Sequence, residues 1–272
     1  MAIKLMYITN SPLVAITADK CGVDRIFLDL EIVGKAERQA NRDTVISCHD
    51  IEDINKIKPL LKKAELIVRT NPIHEGSALE LAAVRESGAD IAMLPYFSTA
   101  KEAETFISAI DGKKKTCLLF ETPGSVENAE EILSVGGIDE VFVGLNDLHI
   151  GYKMKFLFEL LANGTVDKLC ALFAKKGIPY GFGGIARLNQ GTLSAKQILG
   201  EHYRLGSECV ILSRSFCNTK LVTDTKEFES VFESGVKEIR DYEAFLSTAD
   251  QTFFENNRAQ LKKRVEEIAS AQ

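Results

Sequence analysis

Residues 115–147 read KTCLLFETPGSVENAEEILSVGGIDEVFVGLND, and the reading of this stretch decides the fold. An apolar run, 115–121, ends on Glu121. Ser125 can cap a helix over Val126–Val135, and Gly136-Gly137 stops it. A second apolar run, 140–146, then ends at Asp147. Both runs are near-continuously apolar rather than alternating, as expected of parallel strands covered on both faces. The unit is strand, helix, strand, with an acidic residue at the carboxyl end of each strand.

The same unit recurs in both directions along the chain. Strands are predicted at 3–9, 25–30, 65–70, 90–96, 179–185 and 209–214, making eight with the first two. Helix signals separate them. Ser11-Pro12 opens one helix and Gly22 closes it, while Thr99–Glu102 and Ser194–Gln197 have capping-box form. Eightfold alternation predicts one closed (β/α)8 TIM barrel over residues 1–217, with an open doubly wound sheet as the alternative. Residues 218–272 exceed what a barrel needs. Phe228, Val231, Phe232, Val236, Ile239, Tyr242 and Leu246 form a helical stripe. Phe253-Phe254, then Leu261, Val265 and Ile268, suggest second and third pieces. These extra helices either cover their own barrel or pack on a neighbouring subunit.

Composition excludes several classes of function. A net charge of −6 over 272 residues argues against a nucleic-acid surface. No apolar run approaches the ~20 residues that span a bilayer. The start, Met1-Ala2-Ile3-Lys4, lacks a signal-peptide core, so the chain reads as cytoplasmic. Six cysteines without a CxxC pair read as free thiols, and the four histidines make no HxxxH pattern.

Barrel active sites lie at the carboxyl ends of the strands. Asp29 and Glu31 stand at the end of the second strand, Arg69 at the third, Glu121 at the fifth and Asp147 at the sixth. Gathering that many charges is costly without a metal or mutual pairing. Glu121 and Asp147 on adjacent strands make a hard-oxygen site suited to Mg²⁺ or Mn²⁺, with places left for the carboxylate and ketone oxygens of a 2-oxo acid. Arg69 could stabilise the developing oxyanion.

Residues 118–133 (LLFETPGSVENAEEIL) and 137–148 (GIDEVFVGLNDL) resemble the metal-binding strands of the HpcH/HpaI aldolase and citrate lyase β-subunit family. Residues 22–31 (GVDRIFLDLE) resemble its second-strand motif, and 67–71 (IVRTN) its arginine strand. The likeness runs in order from about residue 10 to residue 216. It implies a barrel, a divalent metal on Glu121 and Asp147, and pyruvate-like or acyl-CoA chemistry. It also implies a substrate carboxylate held by backbone N–H groups at Asn146 and Asp147 beside Gly144, an arginine contact from Arg69, and a homo-oligomer. Two positions depart from the pattern: Ile32 stands where aldolases of the family place a proton-transfer histidine, and Leu119 where glutamine is frequent. Asp29, Glu31 or His149 could supply a general acid or base instead.

The remaining features carry less. Gly181-Phe182-Gly183-Gly184 either admits substrate or satisfies barrel packing. Lys113-Lys114-Lys115 reads as a solvated loop, and Lys35 and Arg38 either meet an anionic substrate tail or are exposed helix charge. A Schiff-base aldolase would need a lysine near a strand's carboxyl end, and Lys4 and Lys115 stand near strand starts.

Overall fold

A computed structural model describes residues 2–34, 49–213, 215–217 and 225–271. Eight parallel strands close into a barrel in chain order. They are β1 (Lys4–Ile8), β2 (Arg25–Asp29), β3 (Glu65–Arg69), β4 (Ile91–Leu94), β5 (Lys115–Phe120), β6 (Glu140–Val143), β7 (Tyr180–Ile185) and β8 (Cys209–Leu212). Closure comes from the β1–β8 ladder, Lys4↔Cys209 through Tyr7↔Leu212, which rules out the open sheet. Every strand but β7 ends before its apolar run does. The surplus residues bend into the loops of the mouth.

Two apolar cores follow from the period of the strands. Met6, Phe27, Ile67, Ile91, Met93, Cys117, Leu119, Phe142 and Cys209 fill the barrel. Their neighbours in sequence, such as Leu28, Val68, Leu118 and Val143, pack outward against the helices. The step of two carries the inward face from Phe27 to Asp29, from Ile67 to Arg69, from Leu119 to Glu121 and from Phe142 to Gly144. Sequence alternation therefore aims the strand-end residues at one mouth. At Gly181 an added Cβ would lie 2.3 Å from Cys209 Sγ and 2.4 Å from its carbonyl oxygen, so glycine there serves strand packing.

Helix starts follow the sequence in part. Thr99 and Glu102 form the expected capping box. Ser194 is an N-cap residue but makes no side-chain cap hydrogen bond. After β5 the cap is Thr122, not Ser125. Thr122 accepts from Ser125 N (2.9 Å), and the segment forms two short helices, Pro123–Glu127 and Ala129–Ile132, ending before Gly136. Proline at the first helical position sets this earlier start. The chain's final helices are Thr225–Leu246 and a single Gln251–Ser270, continuous because no Gly or Pro interrupts it.

Both final helices pack on the barrel of their own chain. Glu243 accepts from Ile3 N (2.6 Å) and Arg240 donates to Ile3 O (2.7 Å) and Asp24 (2.8 Å), binding Thr225–Leu246 to the strand starts. The lysine run is paired as well: Lys113 reaches Glu86 (2.8 Å), Lys114 the Ser87 carbonyl (2.5 Å) and Lys115 Glu65 (2.7 Å). Lys35, Arg38 and Cys48 lie outside the described residues. The other five cysteines are free thiols, and no described helix is long and apolar enough to cross a membrane.

Candidate active site

Among the described residues, the carboxyl mouth holds the buried carboxylates Asp29, Glu31, Glu121 and Asp147 together with Arg69. Arg69 lies across β3 towards β2. Its Nε and Nη2 donate to Asp29 at 2.9 and 2.8 Å, and Nη2 lies 3.3 Å from Glu31 Oε2. The guanidinium also stands 5.6 Å from the centre of the Phe27 ring. Burial alone would lower the Arg69 pKa, but Asp29, Glu31 and Glu121 outweigh it and raise it further. Arg69 is a fixed cation, and Asp29 and Glu31 are the side chains that fix it.

Glu121 follows β5 and faces the barrel axis. Thr122, donating to Phe97 O (2.7 Å) and capping the helix behind it, holds the turn rigid. Tyr96 N donates to Glu121 Oε1 at 3.1 Å. That N–H is aimed by a left-handed backbone, with φ 47° at Tyr96, a strained conformation for a residue with a side chain. Opposite Glu121 lies Gly144, where an added Cβ would sit 2.7 Å from Glu121 Oε2 and 2.8 Å from Glu121 Cβ. Only glycine leaves that carboxylate its place.

Gly144 is also the N-cap of the helix Leu145–Gly151, which carries Asp147 in its first turn. Asn146 Nδ2 donates to Asp147 Oδ1 at 3.1 Å. The first N–H groups of a helix have no intrahelical partner, so the amides of Asn146 and Asp147 are open to an acceptor. Asp147 and Glu121 interact electrostatically. Burial raises the Glu121 pKa well above the carboxylate range, and Asp147 and Glu31 add to this, against Arg69 and the Tyr96 N–H.

His149 is buried on the same helix, its Nδ1 3.2 Å from Leu145 O. Ile32, by contrast, is 62% exposed. Ile32 N and Val33 N both donate to Asn71 Oδ1, at 2.8 and 2.9 Å, and Asn71 N and Nδ2 donate to Glu80. This clamp joins the loops after β2 and β3. The structure thus brings Asp29, Glu31, Arg69, Glu121, Gly144 and Asp147 to one mouth.

Three contributors escape a reading of strand ends. Tyr96 acts through its backbone, and Asn71 through an amide that shapes a loop. His49 meets Asp29 N with its Nδ1 at 2.9 Å from far along the chain. The first could have been found from its place after β4, whereas His49 has no local signal.

Fold and mouth together define a closed (β/α)8 barrel with an acidic, arginine-bearing site at the carboxyl ends of its strands. The model of the HpcH/HpaI aldolase/citrate lyase family matches residues 4–157, and the chain belongs to that family. Its chemistry is in general that of lyases. No curated protein sequence matches the chain. Among solved structures it is similar to an HpcH/HpaI aldolase from Desulfitobacterium hafniense DCB-2, with 15% identity, TM-score 0.61 and coverage of 88% of this chain and 93% of that one. It is also similar to a HpcH/HpaI aldolase/citrate lyase family protein from Burkholderia cenocepacia J2315, with 13% identity, TM-score 0.62 and coverage of 81% and 92%. A third likeness is to the citrate synthase SbnG, with 13% identity, TM-score 0.62 and coverage of 81% and 90%. Likeness at this identity concerns the fold.

Proposed function

We propose that this chain is a metal-dependent carbon–carbon lyase of the aldolase type, cleaving or forming a bond next to a 2-oxo acid or acyl enolate such as that of pyruvate. The observation that carries the reading is the pair of buried carboxylates, Glu121 and Asp147, sharing one mouth at a cost that a divalent cation would relieve. The donor set fits. It consists of hard oxygens, and Gly144 keeps the space beside Glu121 clear. Glu121 and Asp147 would hold Mg²⁺, or Mn²⁺ in its place, as a two-carboxylate site leaving positions for water and substrate, since among the described residues no group of three or more His, Cys, Asp or Glu could hold a metal ion. When bound, the cation supplies Lewis-acid stabilisation of charge on a substrate oxygen.

The chain's own residues do the rest. The backbone N–H groups of Asn146 and Asp147 donate to the substrate carboxylate at the first turn of their helix. Arg69, held by Asp29 and Glu31, places its charge beside the reacting oxygen. A fixed guanidinium needs no reorganisation as charge develops. Asp29 and Glu31 are committed to Arg69, which favours a positioning role for them over proton transfer. A citryl- or malyl-CoA-type lyase is the enzymatic alternative. A homo-oligomer, as the family resemblance implies, belongs to the same reading.

The test is exchange of the methyl protons of pyruvate in deuterated water, followed by NMR. The expected exchange requires Mg²⁺ and disappears with chelator or with Glu121→Gln. Metal and pyruvate binding without exchange would sink the lyase reading and favour a repurposed binding protein, a role that the exposed Ile32 would suit.

A further inference from the structure

Strand β7 carries three glycines in its six residues, Gly181, Gly183 and Gly184. Packing requires two of them. An added Cβ at Gly181 would fall on Cys209, and one at Gly183 would lie 2.7 Å from Leu145 Cδ1 on a backbone with φ +55°. Gly184 is placed differently. Its backbone is outside the left-handed region. An added Cβ would meet nothing closer than Ile211 O at 3.3 Å, with Ile211 Cβ at 3.9 Å and Ser213 Cβ at 4.0 Å. Gly184 is also the one residue of β7 that is not fully buried. The strand does not demand glycine there, and the space above it is open.

That space faces the mouth. β7 pairs with β8 at Gly181↔Cys209 and again at Gly184↔Ile211, three steps on one strand against two on the other. The extra residue is a bulge, and it turns Gly184 inward where strict alternation would turn it out. Ile211 and Ile8 pack on the core that fills the barrel, and both are half-buried. Ile8 is the last residue of β1, and Gly184 and Ile211 are the last but one of β7 and β8. β6 meets β7 at Val143↔Phe182, so Gly184 also stands beside the start of the helix that bears Asn146 and Asp147. The mouth therefore has two sides. Asp29, Arg69, Glu121 and Asp147 charge one of them. Gly184, Ile211 and Ile8 line the other, along β7, β8 and β1, with apolar surface.

We propose that Gly184, Ile211 and Ile8 form a subsite for an alkyl substituent on the third carbon of the 2-oxo acid, so that the substrate is a longer chain than pyruvate. This rests on the reading of the mouth as a 2-oxo acid site. The carboxylate lies on the N–H groups of Asn146 and Asp147, and the ketone oxygen turns towards Arg69 and Glu121. In a planar 2-oxo acid the third carbon then points the opposite way, towards β7 and β8. An alkyl chain on that carbon leaves water against the two isoleucines, and Gly184 gives it room. A side chain at position 184 would take that room with little change to the strand.

Calorimetry on the full chain at saturating Mg²⁺, with pyruvate, 2-oxobutanoate and 2-oxopentanoate, tests it. Oxalate, which has no carbon chain, serves as the reference. Affinity in the wild type is expected to rise along the series, about tenfold from pyruvate to 2-oxopentanoate, as two methylene groups leave water. In Gly184→Ala the affinity for 2-oxopentanoate, taken relative to oxalate, should fall about tenfold. A flat or falling series in wild-type protein that binds oxalate would overturn the proposal and leave the 2-oxo acid reading standing. So would a Gly184→Ala variant that keeps the rise, or one that loses oxalate and 2-oxopentanoate in equal measure, which would mark a structural glycine. Wild-type protein that binds neither Mg²⁺ nor oxalate would sink the underlying reading of the site, and the subsite with it.

Discussion

At the amino ends of the strands Arg25 is buried to 1% exposure, with Nη1 and Nη2 each 2.8 Å from one oxygen of Glu140 and Nε 3.1 Å from Glu65. Lys115 reaches Glu65 from the other side at 2.7 Å. Two cations meet two carboxylates, and the floor of the barrel is closed. At the carboxyl ends Arg69 meets Asp29 and Glu31, while Glu121 and Asp147 are near enough to interact electrostatically. The floor buries Arg25 and Glu140, with Glu65 part-buried and Lys115 exposed, whereas the mouth buries four carboxylates. The floor spends its charges on one another, and the mouth keeps two carboxylates for something else. That contrast separates the part of the barrel that secures the fold from the part that does its work.

The largest effect is expected at the floor. Arg25→Met leaves Glu140 buried without its bidentate partner and should cost about 3–5 kcal/mol, measured by urea unfolding. The double variant Arg25→Met with Glu140→Leu should recover part of that loss, since no charge is then stranded. Equal losses in single and double variants would break the contrast, because the charges themselves would not be what matters.

Gly144→Ala comes next. Its Cβ would fall within 2.7 Å of Glu121 Oε2, so about 1–3 kcal/mol of overpacking is expected, together with a loss of Mg²⁺ affinity. Calorimetry and unfolding on the same variant check both. Smallest, and opposite in sign, is Glu121→Gln. It removes a buried carboxylate that no neighbour fully compensates, so the metal-free protein should melt a few degrees higher.

The two ends also differ in pH dependence. Burial raises the pKa of Glu65, but Lys115 and Arg25 outweigh it and hold the carboxyl below its ordinary range. Its stabilising contribution is present above the unfolded value near 4.5 and fades as pH falls through the folded one. Glu121 is raised instead, so the folded state holds the extra proton. Stability is then lost as pH rises from 4.5 towards the folded value. Melting temperatures of metal-free wild type and Glu121→Gln should therefore diverge from pH 5 to 8, with the wild type falling behind. Parallel curves would mean that Glu121 is not strained.

The mouth was largely legible in the sequence because it is written at the strand ends, where an apolar run breaks on an acid or an arginine. The period of two then aims those residues inward. The floor was not legible. Nothing local links Arg25 with Glu140, 115 residues away, and only barrel closure makes them neighbours. His49 is the same case at the mouth, since its partner is a backbone amide left over where β1 stops. Helix boundaries failed where two caps competed, as at Thr122 and Ser125. The double phenylalanine at 253–254 suggested a break that the unbroken helical spacing did not support.

Titration of the metal-free full chain with Mg²⁺, wild type against Glu121→Gln, tests the central claim most directly. One site per chain in the wild type, lost in the variant while its fold is intact, is the predicted result. Equal binding by both proteins would mean that the Glu121–Asp147 pair is not where the cation sits.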